Sequence, residues 1–214
     1  MTTIGIIGVG LMGSEIARSC VVNGYDVVVA NSRGPETLAE LVDELGGRAR
    51  AATVADAAKA SDIIAMTIPL IGVYSLPPEP FAGKVVIDGN NYYRKRDGEI
   101  EELWNETTTV SEVLQEQLPE AYVVKGLNHL HPTQIARERH HPGGVRQATA
   151  LAGDDDEAKK VATEFFDTIG FDVLDLGPLS EGWRVQRGTP AYGPRFTIEE
   201  LRVAAAVATR FRDR

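Results

Sequence analysis

Apolar residues in this chain gather in short, β-branched runs separated by amphipathic or polar stretches. Thr3-Ile4-Gly5-Ile6-Ile7 is the first run and reads as a buried strand, with a helix over residues 11–22 behind it. A second strand is expected at 26–30, then a helix over 36–45 stopped by Gly46-Gly47. Residues 48–51 read as a short third strand, 56–59 as a short helix, and 62–68 as a fourth strand ended by Pro69. The fifth strand falls at 84–88, a helix carries Ser111, Leu114 and Leu118, and the sixth strand covers 121–125. Strands alternating with helices predict an α/β fold with a doubly wound parallel sheet covered on both faces. Residues 129–144, dense in charge with two prolines and two glycines, read as a loop or lid. Strand character returns at 147–152, an acid-led helix at 154–169, and a last strand at 171–176. Thr197 with Glu200 fits a capping box opening a terminal helix, whose stripe of Leu201, Ala204, Ala208 and Phe211 packs on its own domain. A homodimer contact is the alternative use of that stripe.

Composition narrows the classes. At 214 residues, 43% hydrophobic and 25% charged, the chain suits one large soluble domain, or a domain with a small lobe. A formal charge of -9 argues against a general nucleic-acid binder. The single cysteine, Cys20, falls in the first helix and reads as a small core residue. The chain enters a strand at once, without a basic leader or long apolar run, so no membrane and a cytoplasmic location are expected.

The chemistry starts between the first strand and helix. Gly8, Gly10 and Gly13 form the G-x-G-x-x-G turn, with Leu11 and Met12 inside it. The first glycine permits the tight turn, the second lets a pyrophosphate approach the backbone, and the third lets helix and strand pack closely. The helix start then faces the phosphates with open N–H groups. An NAD site places an acid at the tip of the second strand; here stand Asn31, Ser32 and Arg33, which suit a 2′-phosphate and favour NADP(H). Ligands bind beyond the carboxyl ends of such strands. That rule adds Thr67, Ile68 and Pro69 beside the ribose and nicotinamide, and the polar loops at Asn90 and Asn128.

With these motifs in hand, the chain resembles the NADPH-dependent coenzyme F420 reductase (F420:NADP oxidoreductase) family over most of its length. The resemblance rests on the glycine turn with Asn31-Ser32-Arg33 and on Val124-Lys125-Gly126-Leu127-Asn128. Farther on it rests on Leu151-Ala152-Gly153-Asp154-Asp155, Gly177-Pro178-Leu179 and Gly188-Thr189-Pro190-Ala191-Tyr192-Gly193. It implies a Rossmann domain over residues 1–128 that holds NADP(H). A small C-terminal α/β lobe over 129–214 would complete the cleft for a small-molecule redox co-substrate, the deazaflavin F420. It also implies that Ser32 and Arg33 hold the 2′-phosphate, and that Asn128 and its loop shape the deazaflavin side. Asp88-Gly89-Asn90-Asn91-Tyr92-Tyr93 and the His-rich loop depart from the family pattern, and both flank the second-substrate side.

Hydride transfer between two cofactors needs positioning and exclusion of water more than acid–base residues. No catalytic residue is therefore assigned, with Asn128, His129 and Tyr92 as candidates. A carbonyl or imine substrate would need a proton donor, from Tyr92, Tyr93, His129 or His131. Another flavin or a quinone is a further acceptor class, and a non-catalytic NADP(H) sensor is a different class of function. His129, His131, His140 and His141 come without cysteines or a defined ligand spacing, so no metal is expected. Arg94-Lys95-Arg96, Arg137 with Arg139, and Arg184 with Arg187 are the candidate basic patches for an anionic tail.

Overall fold

The apolar runs become the strands β1 (Thr3–Ile7), β2 (Asp26–Ala30), β3 (Ala49–Ala51), β4 (Ile63–Met66), β5 (Val85–Asp88), β6 (Tyr122–Gly126), β7 (Gln147–Gly153) and β8 (Phe171–Asp175). Between them lie α1 (Leu11–Val22), α2 (Ala39–Leu45), α3 (Val54–Ala60), α4 (Arg94–Asp97), α5 (Glu101–Trp104), α6 (Val110–Gln117), α7 (Pro132–Arg139) and α8 (Asp156–Thr168), with α9 (Ile198–Ala206) last. This computed structural model describes residues 2–139 and 143–210. One sheet runs β3-β2-β1-β4-β5-β6-β7-β8. The chain reverses its direction of travel across the sheet between β1 and β4, which makes their carboxyl ends the natural crevice.

Side-chain alternation along the strands builds two cores. Ile4, Ile6, Ala65, Ile87 and Val124 face α1, α7 and α8, where Phe165 and Phe166 are fully buried. Ile7, Ile64, Met66, Val86 and Val123 face α3, α6 and the 3-10 turns Leu70–Ser75 and Leu179–Val185. Each fully buried Ile or Phe contributes ~1.5–3 kcal/mol, so both faces hold the sheet firmly. Cys20 is buried in the first core, where desolvation pushes its thiol up and leaves it inert.

Two expectations are corrected. The sheet is not wholly parallel: β7 pairs antiparallel to β6, and β8 follows β7. The cause lies in residues 132–139, read as part of a loop but folded as α7. Ile135 is buried in the core, and Arg139 Nη1 reaches Glu15 of α1 at 2.7 Å. Glu138, at the end of α7, lies against Gly170 and the start of β7. The chain thus re-enters the sheet from the carboxyl ends of β1–β6, and β7 runs backwards. The terminal helix ends at Ala206 with Leu201 and Ala204 buried; Phe211 lies outside the described residues.

Candidate functional site

At the carboxyl end of β1 the backbone itself makes a groove. Gly8 has φ 96°, and a Cβ there would stand 2.5 Å from the Thr67 carbonyl oxygen. A Cβ on Gly13 would collide with the Gly8 carbonyl oxygen, so helix and turn can touch only because Gly13 has no side chain. Gly10 differs: a Cβ there meets nothing within 4 Å. The space it leaves is the groove, where a phosphate group fits and a side chain would intrude. Gly10 also starts α1 without a side-chain cap, and no acid stands in the first turn. The first-turn amides therefore have no intrahelical acceptor and present the positive end of the helix dipole.

This groove has a volume of about 590 Å³ and is lined by Gly8, Gly10, Asn31, Ser32, Arg33, Thr67, Ile68 and Pro69, among others. Asn31 spends its amide on the loop, accepting from Arg33 N–H at 2.8 Å and donating to Thr37 Oγ1 at 2.9 Å. Arg33 is exposed, and among the described residues no ion pair holds its guanidinium. Glu36 folds against Gly34 beside it. Thr67 Oγ1 donates to the Gly8 carbonyl at 2.6 Å and locks the β4 loop to the turn. Leu11 is 83% exposed and Met12 packs on the core, so of the turn's inner residues neither lines the groove. These features fit a dinucleotide.

Next to the groove the construction changes from backbone to side chains. Met66, Asp88 and Lys125 stand in register on β4, β5 and β6. Asp88 Oδ1 accepts from Asn90 N–H at 2.9 Å; Oδ2 accepts from Ser111 Oγ at 2.6 Å and Lys125 Nζ at 3.1 Å. Lys125 Nζ also donates to the Asn90 carbonyl at 2.6 Å. Asn128 Nδ2 donates to Asn91 Oδ1 at 3.1 Å and to the Val185 carbonyl at 2.9 Å, while Asn91 Nδ2 donates to the Asn128 carbonyl at 2.8 Å. The side chains of Asn90, the Asn128 Oδ1 and both His129 ring nitrogens are buried without a protein partner.

Beyond this network opens a second cavity of about 810 Å³, walled by Tyr92, Trp104, Trp183, Glu106, Arg94 and Arg187, with Lys125 among its lining residues. Among the described residues two non-glycine residues have positive φ, Glu106 at 51° and Leu127 at 63°. One lines the cavity and the other turns the chain into Asn128, so backbone strain concentrates here. Asp97, its side chain fully buried, ties the two regions together. It accepts from Arg96 and from Tyr93 N–H at 2.8 Å, and the Ile71 N–H also supports its charge. Burial opposes that charge, but these hydrogen bonds outweigh it and hold the carboxyl below its ordinary range.

The remaining sequence candidates scatter. His129 is not in a loop open to solvent but buried; burial, and then the Lys125 charge, hold its pKa down to about 3, so the ring is neutral near pH 7. Tyr92 lines the cavity but donates to the Gly98 carbonyl at 2.7 Å. Tyr93 and Tyr192 share a hydroxyl contact of 2.8 Å, and His131 bonds Thr133 at 2.8 Å. Of the basic patches, Arg94 and Arg187 reach the cavity; Arg139 pairs with Glu15 and Arg184 with Glu181. His140 and His141 lie outside the described residues. Among the described residues no three His, Cys, Asp or Glu side chains stand together as a metal site. Lys125, Asp88, Trp104, Trp183 and Glu106 were not singled out from sequence as site residues. The available signal was a lysine ending the apolar run Tyr122-Val123-Val124-Lys125 beside a strand that ends in Asp88.

Residues 3–92 match the family model described as NADP oxidoreductase, coenzyme F420-dependent. The match covers less than half of the chain and is a likeness of that segment. The matched segment ends at Tyr92, so it spans the groove and stops at the wall of the second cavity. Among solved structures, a hypothetical protein from Sinorhizobium meliloti is 28% identical at a TM-score of 0.80, covering 92% of this chain and 96% of its own. A protein provisionally named an F420-dependent NADP-reductase, from Arthrobacter sp., is 24% identical at a TM-score of 0.70, covering 83% and 86%. An imine reductase from Pseudomonas sp. shares the fold at 20% identity and a TM-score of 0.61, over 83% of this chain and 56% of its own. No curated protein matches the sequence. Among the described residues no helix is long and apolar enough to cross a membrane.

Proposed function

We propose that the chain binds NADP(H) in the Gly8–Gly10–Arg33 groove and exchanges hydride with F420 seated in the second cavity. The observation that carries this is the pairing of a backbone groove with a side-chain cavity across Met66, Asp88 and Lys125. Neighbouring strands lie ~4.8 Å apart, so two spacings, about 10 Å, separate the end of β4 from that of β6. The bound nicotinamide supplies the hydride. The chain's residues position and shield it: the first-turn amides of α1 and Arg33 take the phosphates, and Thr67 fixes the wall. Residues 1–128 then serve as the NADP-binding part. Residues 129–214 complete the acceptor cleft, since Gly182, Trp183, Gln186 and Arg187 form one wall of it.

The aromatic and basic lining of the cavity supports a planar anionic acceptor. Its wall carries two indoles with guanidinium groups stacked on them, Arg94 over Trp104 at 4.3 Å and Arg184 and Arg210 over Trp183 at 4.6 and 4.9 Å, with Arg187 lining it as well. Mixing the protein with NADPH and F420 in a stopped-flow instrument should bleach the deazaflavin absorbance; no bleaching at stoichiometric enzyme removes F420 as the acceptor. A second reading, reduction of another flavin, a quinone or a carbonyl or imine compound, is favoured by the ammonium of Lys125 at the cavity, which such acceptors would use.

A further inference from the structure

The ammonium at the inner end of the second cavity has no role in holding a dinucleotide. Lys125 has a side chain 4% exposed, yet it lines the cavity. An ammonium carries three N–H bonds. Asp88 takes one and the Asn90 carbonyl a second, which leaves the third without a protein acceptor. The stem is threaded past Gly182, where a Cβ would stand 3.2 Å from Lys125 Cγ; the glycine clears the path by which the lysine crosses into the cavity.

We propose that Lys125 donates, from Nζ, the proton that completes reduction of an acceptor bound in the cavity that Trp104 and Trp183 line. The acceptor class is a planar conjugated ring system with an anionic substituent and a ring nitrogen or oxygen that gains hydrogen on reduction. The inference rests on the reading that this cavity holds the acceptor. In the step, the hydride forms a C–H bond on the acceptor, and the displaced electron pair moves to the conjugated nitrogen or oxygen. That atom takes a proton from Nζ, the N–H bond breaks, and Lys125 is left as a neutral amine hydrogen-bonded to Asp88. NADPH is the two-electron reductant, and water entering past the half-exposed Trp104 returns the proton.

Two charged or titratable neighbours bear on the ammonium directly. Asp88 on β5 stabilises it and His129 is neutral, while Arg94, Glu106 and Arg187 are the other charged residues lining the cavity. Burial lowers the lysine's pKa more than Asp88 raises it, which brings it closer to the range where it serves as an acid.

The two tryptophans of the chain both line this cavity, so intrinsic fluorescence reports its occupancy. F420 and riboflavin 5′-phosphate are titrated separately against wild type, Lys125→Met and Lys125→Arg. NADPH oxidation is then followed with whichever quenches. Arginine keeps the charge and the hydrogen bonds but holds its proton too tightly to give it up. The expected result is quenching in all three proteins and unchanged melting of Lys125→Arg. kcat should fall at least ~100-fold in both variants. Wild-type kcat should decline at alkaline pH as the lysine loses its proton, with no such limb in Lys125→Arg. Arginine restoring kcat would overturn the proposal and leave the cavity assignment standing. Quenching by neither compound, or quenching without NADPH oxidation by wild type, would overturn both. Quenching and reduction of riboflavin phosphate alone would remove F420 and still test the lysine.

Discussion

The groove and the cavity sit side by side on one row of strand ends, yet they are made of different materials. The groove is main chain: two glycines in contact, a third leaving space, and the amides of a helix start. The cavity is side chain: residues from β5 onward, from α5 and α6, and from the 3-10 turn at Leu179–Val185 converge on one lysine and one aspartate. A main-chain site tolerates little change at the residues that allow close approach, and little else about it depends on distant sequence. A side-chain site can exchange its chemistry residue by residue on the same scaffold. The family match stops where the second construction begins, at Tyr92.

The sharpest way to break this contrast is within the glycine turn. Gly13→Val should cost several kcal/mol, because its side chain must displace the Gly8 carbonyl, and thermal melting will show the loss. Gly10→Val should melt like wild type and bind NADPH at least ~100-fold more weakly, measured by calorimetry. If the two variants behave alike, the groove is not organised as described.

A side-chain cavity should instead show itself through titration. His129 is buried neutral with its pKa lowered to about 3, against about 6.5 unfolded. The unfolded chain therefore binds a proton that the folded one refuses, and stability present above pH 6.5 drains away as pH falls toward 3. By pH 4.5 the loss from this one group should be roughly 2–3 kcal/mol. Denaturant unfolding of wild type and His129→Leu at pH 7.5 and 4.5 should show the difference, with the variant losing less. Equal losses would place the acid sensitivity elsewhere.

The smallest expected effect belongs to the rim of the groove. Arg33→Ala should weaken NADPH by ~10–30-fold, the worth of one charge-assisted contact, and NADH by less than about twofold. Equal weakening would move the 2′-phosphate away from Asn31-Ser32-Arg33.

How far sequence reached follows the same division. The strand, turn and helix around Gly8 are local in sequence, and so were legible from periodicity and one motif. The lining role of Ser32 and Arg33 followed from their place at the tip of β2. The helix at Pro132–Arg139 escaped because few of its residues are apolar. Its stability comes from Ile135 in the core and from the ion pair to Glu15, 124 residues away. His129 read as a loop residue for the same reason: what buries it lies far along the chain. Trp104, Trp183 and Lys125 carry no shared spacing, and only the fold brings them to one cavity.

Asp97 gives the pairing of groove and cavity a mechanical meaning. Its carboxylate accepts from Tyr93 N–H at 2.8 Å, beside the wall of the cavity, and its charge is supported by the Ile71 N–H, in the wall of the groove. The two proposed binding sites would thus have this carboxylate in common. Whatever firms one wall reduces the ordering the other must undergo, and linkage makes that help reciprocal. Were both sites to fill as proposed, the ternary assembly would be favoured over either binary one, with the reductant held most tightly when there is something to reduce.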